Sequence, residues 1–134
     1  MLSNYQFVNF LSIGLGATFG AWARWGAGVL FNSLLPNFPL GTLVVNLSGG
    51  LMIGIALGLT DIGVLQNNHL KLLFITGFLG GLTTFSAFSG ESLTLLQKHE
   101  YLWAAIHTSS HVFGALLMAA LGYALVHYFK SAVF

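Results

Sequence analysis

Phe85 and Phe88 stand three residues apart, so a helix would bring both rings to one face. Thr83, Thr84, Ser86 and Ser89 are interleaved with them and supply hydroxyls. An aromatic ring has a positive edge and a negative face, so its edge suits an anion and its face a cation. Sequence leaves open which is presented. The plain alternative is a pair of apolar residues touching lipid or core. Asn46 falls in the middle of an apolar stretch, Gly41-Thr42-Leu43-Val44-Val45-Asn46-Leu47-Ser48-Gly49-Gly50. A side-chain amide in such a place needs partners. It either ties helices together or uses its two N–H donors to replace water around a small anion.

His107 and His111 are four residues apart, with Thr108, Ser109 and Ser110 between them. Two imidazoles on one helix fall short of the three or four ligands zinc takes, and no Asp, Glu or Cys adjoins them in the chain. The expectation is a polar stripe facing a pore or a partner. Arg24, flanked by Trp22 and Trp25, suits two compatible roles: a snorkelling interfacial cation, or a fixed charge that draws anions to a vestibule. Glu91 is expected to cap or pair at the end of its span. No nucleophile with base and orienting group, no phosphate loop and no paired carboxylates are present, so the expectation is that the protein is not an enzyme.

The elements that must position these residues follow from composition. Of 134 residues, 56% are hydrophobic and 5% charged, and the mean hydropathy is +0.84. Soluble domains carry roughly 25% charged residues, so the chain reads as an all-α integral membrane protein, a single domain over 1–134. The net charge of +1 argues against a nucleic-acid partner. The absence of cysteine excludes disulfides and thiolate chemistry. The N-terminus lacks the basic start and cleavage site of a signal peptide and is expected to belong to the mature fold. A crossing needs about 20 apolar residues. Uncharged runs therefore place four transmembrane helices near 7–30, 40–60, 70–95 and 101–129. A turn is expected over 31–39 and polar loops over 61–69 and 98–100.

The third span, uncharged from Leu72 to Gly90, sets Gly80 beside Gly81 and Thr83 beside Thr84. That is a poor recipe for an unbroken helix. Lipid cannot satisfy freed backbone groups, so a break must be buried in protein or line a wet cavity. Gly16 and Gly20, Gly50, Gly54 and Gly58, and Gly77 and Gly81 recur at four-residue spacing that lets helices approach closely. Lys71 and Lys130 lie on one side of the expected topology, Arg24 and Lys98 on the other. Basic residues near helix ends set orientation. The balance therefore predicts insertion in both directions and an antiparallel, dual-topology homodimer, whose inverted symmetry is the kind transporters obtain from internal repeats.

These pieces resemble the Fluc/CrcB fluoride channel family over nearly the whole chain. The resemblance rests on Gly16-Ala17-Thr18-Phe19-Gly20 followed by Arg24-Trp25, on Gly41-Thr42-Leu43-Val44-Val45-Asn46, and on Gly77-Phe78-Leu79-Gly80-Gly81-Leu82-Thr83-Thr84-Phe85-Ser86-Ala87-Phe88. It implies an antiparallel homodimer in the cell's inner (plasma) membrane, with two narrow pores that pass fluoride out of the cytoplasm. It implies that Phe85 and Phe88 line the pathway with ring edges towards the ion, close to Asn46, and that Thr84, Ser86, His107 and His111 add polar groups. It sets Arg24 near a vestibule. It also implies one structural Na+ at the dimer centre, held by the backbone carbonyls of Gly80 and Thr83 from both chains. The chain departs from the family on the fourth span. There His107, His111 and Ala115 stand on the face where hydroxyls are common, which leaves open a pH dependence of unstated sign. The family's physiology follows from hydrogen fluoride, which enters as a neutral acid and dissociates inside the cell.

Two other readings fit a short four-span chain. Small multidrug resistance exporters depend on a membrane-embedded Glu in the first helix, where this chain has Arg24 and no acid. A lipid-facing assembly subunit would show few, scattered polar residues, whereas here they recur through all four spans.

Overall fold

The computed structural model describes residues 3–35 and 38–133. Pro36 and Asn37 of the expected turn lie outside the described residues. Within them the structure is helical, without strands: α1 (Asn4–Phe31), α2 (Leu40–Asp61), α3 (Asn68–Lys71), a π-helical stretch (Leu72–Leu79), α4 (Gly80–Leu82), α5 (Phe85–Gln97) and α6 (Tyr101–Val133). Leu40–Asp61, Asn68–Gln97 and Tyr101–Ala132 are long and apolar enough to cross a membrane. α1 has the length, 28 residues, but carries Gln6, Asn9, Ser12 and Arg24.

Helix ends are closed by local chemistry. Ser3 and Gln6 form a reciprocal capping box at the start of α1. The Asn32 side chain accepts from the Gly41 amide at 2.8 Å and so begins α2. Asn67 caps α3 by accepting from Leu70 at 3.1 Å. Asp61, expected in a loop, instead closes α2, and Asn68 and His69 already belong to α3. After α2, Gly63 turns left-handed at φ 84, and its neighbour Val64 donates back to Leu59 at 2.9 Å. The turn after α5 repeats this closure with His99 at φ 60 and Glu100 donating to Leu95 at 3.0 Å.

The glycine spacing is used within the chain. α1 packs along the third passage, where a Cβ on Gly77 would lie 3.0 Å from the Gly16 Cα and one on Gly81 3.0 Å from the Ala17 Cα. α2 packs along α6 in the same way: Gly50 faces the Ala115 backbone, Gly54 the Ala119 carbonyl and Gly58 the Val126 side chain. Lipid tails are as apolar as the helices, so close van der Waals contact supplies what a hydrophobic drive cannot. The distribution of polarity is inverted relative to a soluble protein. Phe10, Leu15, Trp22, Trp25, Phe113 and Leu117 face outward, while the largest fully buried side chain is His107.

This packing gives a test. In Gly54→Ala the new Cβ would press on the Ala119 carbonyl, whereas in Gly14→Ala it would meet nothing within 4 Å. The first substitution is expected to cost about 1–3 kcal/mol and the second to be neutral or slightly stabilising, as read from unfolding in mixed detergent micelles. Equal effects would contradict the packing.

Candidate functional site

The site begins where the third passage breaks. Thr83 and Thr84 are both extended, with ψ 157 and ψ 119. Of the two adjacent pairs expected to break the helix, the threonines do so, while Gly80 and Gly81 stay in a helical turn, Gly80–Leu82. Thr83 still donates to the Leu79 carbonyl, through its amide at 2.9 Å and its hydroxyl at 2.8 Å. In an unbroken helix the Thr84 amide would donate to the Gly80 carbonyl. Here it donates to Oδ1 of Asn46 at 2.8 Å. The Thr84 carbonyl accepts from Nδ2 of Asn46 at 3.0 Å. One side-chain amide therefore takes the freed Thr84 N–H and adds a donor to its carbonyl, which hydrocarbon could not. The Thr84 hydroxyl then starts α5 by accepting from the Ala87 amide at 3.1 Å, and it lies 3.2 Å from the Ser86 hydroxyl.

The two bonds to Thr84 fix which way the Asn46 amide points. Its second Nδ2 hydrogen meets Nδ1 of His111 at 3.0 Å. Nδ1 must therefore accept, so a neutral His111 carries its proton on Nε2. That Nε2 is buried and has no hydrogen-bond partner among the described residues. Both Asn46 hydrogens are engaged, so the donor turned free is the imidazole N–H, a role for Asn46 that sequence reasoning did not foresee.

Phe88 is buried against this group, its ring centroid 4.8 Å from His111, 5.6 Å from His107 and 5.4 Å from Phe85. Phe85 is 78% exposed. A groove of about 640 Å³ opens beside them, bounded by Asn46, Gly80, Thr83, Phe85, Phe88 and His111. Ala115 also lines it. Arg24 reaches the break from α1, donating from Nη1 to the Thr83 carbonyl through a long bond of 3.4 Å.

A second polar group adjoins the first, the His107 ring centroid lying 4.5 Å from that of His111. The Glu91 carboxylate accepts from the Thr42 hydroxyl and, at 3.3 Å, from Nε2 of His107. Nδ1 of His107 is 3.0 Å from the Ser92 hydroxyl, and Phe38 and Phe88 enclose the ring. Glu91, His107 and His111 each bring a potential ligand atom to within 4.8 Å of the others. The expectation that no acid accompanies the histidines is thereby corrected: the acid comes from the preceding helix. The signal was present, because α5 and α6 form a hairpin about His99, and Glu91 and His107 are equally far from it. Glu91 also borders a smaller cavity of about 230 Å³, together with Asn32, Thr94, Lys98 and Glu100.

Asn46→Leu removes both bonds to Thr84. The Thr84 amide left unpaired and the Thr84 carbonyl left with only its helical partner predict a loss of about 1–3 kcal/mol in the unfolding titration. They also predict faster hydrogen exchange at the Thr84 amide. An amide as protected as in the parent protein would contradict the clamp.

The sequence as a whole is similar to that of known proteins. The family described as "CrcB-like protein, Camphor Resistance (CrcB)" matches residues 11–123. A fluoride-specific ion channel FluC of Aromatoleum aromaticum is 51% identical over 115 residues, 86% of this chain and 88% of the relative. Its counterpart in Cupriavidus pinatubonensis is 51% identical over 115 residues, 86% of this chain and 91% of the relative. That of Pseudomonas putida is 48% identical over 123 residues, 92% of this chain and 97% of the relative. The family match takes in the break, its clamp and both histidines, and on that ground the chain belongs to the CrcB family.

Proposed function

We propose that the chain is a passive fluoride channel. Its relatives are named fluoride-specific ion channels, and one observation carries the reading to particular residues: a buried imidazole N–H, held by Asn46 beside Phe88 and without a partner among the described residues. Fluoride is small and strongly hydrated, so a dry passage must replace its water with donors. His111 supplies a donor whose direction is set by Asn46. Phe85 and Phe88 supply ring edges, and the hydroxyls of Thr84 and Ser86 continue the polar line. Asn46 acts as a positioning residue. Arg24, the cation nearest the break, raises the local potential for an anion. The negative-inside membrane potential then drives fluoride outward, with about 2.3 kcal/mol per charge per 100 mV.

The complete pore is a dimer in this reading, formed by four-span copies inserted in opposite directions in the cell's inner (plasma) membrane. The balance of basic residues supports dual topology. The exposed Phe85 ring and the open groove beside it support a second copy covering this face. Na+ is proposed at the dimer centre on the carbonyls of Gly80 and Thr83. The donor set suits a hard cation: the Thr84 amide is diverted to Asn46, and the Thr83 carbonyl already attracts the cationic Arg24. Bound there, Na+ would supply a fixed positive charge in a low-dielectric setting.

Liposomes containing the purified protein are expected to release fluoride and not chloride when a potential is imposed; equal release would refute selectivity. Phe88→Ile is expected to lower fluoride flux about tenfold or more, equivalent to about 1.4 kcal/mol on the barrier, and unchanged flux would remove Phe88 from the pathway. Single cysteines placed in this cysteine-free chain should be labelled from both faces of intact vesicles. Labelling from one face alone would overturn dual topology.

A further inference from the structure

We propose that Glu91, His107 and His111 form a binding site for a divalent transition-metal ion of the Zn2+ type, and that the bound ion closes the passage. Three potential ligand atoms from two helices lie within 4.8 Å of one another. Zinc bonds of about 2.0–2.2 Å set the edges of a tetrahedral site at about 3.4 Å, so the three side chains must close by roughly an ångström. His111, 4% exposed, leaves its Nε2 without a partner, while His107 is fully buried. Two imidazoles and one carboxylate suit zinc, copper or nickel rather than calcium or magnesium, which take oxygen ligands. A fourth position is left for water.

Each ligand is also held from behind, as metal ligands are. Thr42 bonds the other Glu91 oxygen, Ser92 bonds Nδ1 of His107 and Asn46 bonds Nδ1 of His111. Two cavities border the cluster: the groove lined by His111 and the smaller one lined by Glu91, Glu100 and Lys98. Coordination through Nε2 moves the proton of each neutral imidazole to Nδ1, with none released. For His107 the Ser92 hydroxyl can turn to accept. For His111 the new Nδ1–H would oppose the Asn46 N–H, so the ion must loosen the bond that holds the break. Asn46→Asp would present an acceptor at that point instead.

The closure rests on the proposed channel function, whereas binding does not, so both are measured. Purified protein is titrated with ZnCl2 against a chromogenic chelator, and proteoliposome fluoride efflux is followed with ZnCl2 and then with added EDTA. The expected result is one Zn2+ per chain, binding about tenfold or more weaker in His107→Gln and in Glu91→Gln, unchanged binding in His127→Gln, and about tenfold tighter binding in Asn46→Asp. Efflux should stop with Zn2+ and return with EDTA. Circular dichroism of each variant shows whether its helices persist, and the gain in Asn46→Asp cannot come from misfolding. Normal fluoride efflux with no Zn2+ binding overturns the site and leaves the channel standing. Binding with the expected variant pattern in a protein that passes no fluoride upholds the site and overturns the channel. Binding that leaves efflux untouched overturns the closure.

Discussion

A side-chain amide closing a broken backbone is the constraint from which the rest of this molecule follows. At membrane depth the Thr84 N–H and C=O have no water to turn to. Asn46 takes both, at 2.8 and 3.0 Å. Because those bonds set the amide's orientation, they also set which nitrogen of His111 holds the proton. One residue thus stabilises an irregular backbone and aims a donor, and the two tasks cannot be separated by substitution at that position alone.

Around the clamp, two helix pairs are packed by small residues: α1 with the third passage through Gly16, Gly20, Gly77 and Gly81, and α2 with α6 through Gly50, Gly54 and Gly58. The pairs meet through an apolar cluster of Val45, Leu79 and Leu82 and through two polar ties. Asn46 of α2 holds Thr84, and Thr42 of α2 holds Glu91. The arrangement leaves the polar groups in a line between the pairs while apolar side chains face outward. That is what a bilayer demands of a protein that must carry an ion through it.

Much of this was legible in the sequence, and the remainder was hidden for physical reasons. Helix positions followed from where charges interrupt apolar runs. The break announced itself in adjacent glycines and adjacent threonines; it falls at the threonines alone, because Asn46 on another helix waits for the Thr84 amide, which local propensity does not know. The same long-range pairing explains why Asn46 read as either glue or anion donor: it ties α2 to the break, and its other N–H is turned to His111. Glu91 was expected to cap or pair at the end of its span, and it pairs; that its partner is His107 was missed because ligand spacing was sought along one helix, while the hairpin about His99 juxtaposes residues of two. Arg24 was expected near a vestibule, and the structure sets it against the Thr83 carbonyl.

The claim that matters most is that His111, held by Asn46, offers an Nε2–H to fluoride. Nitrogen-15 NMR of histidine-labelled protein in lipid bilayers tests it directly. The account predicts a protonated Nε2 and an unprotonated Nδ1 at His111, with the Nε2 proton shifting on addition of fluoride and not of chloride. A proton on Nδ1, or a resonance indifferent to fluoride, would contradict it.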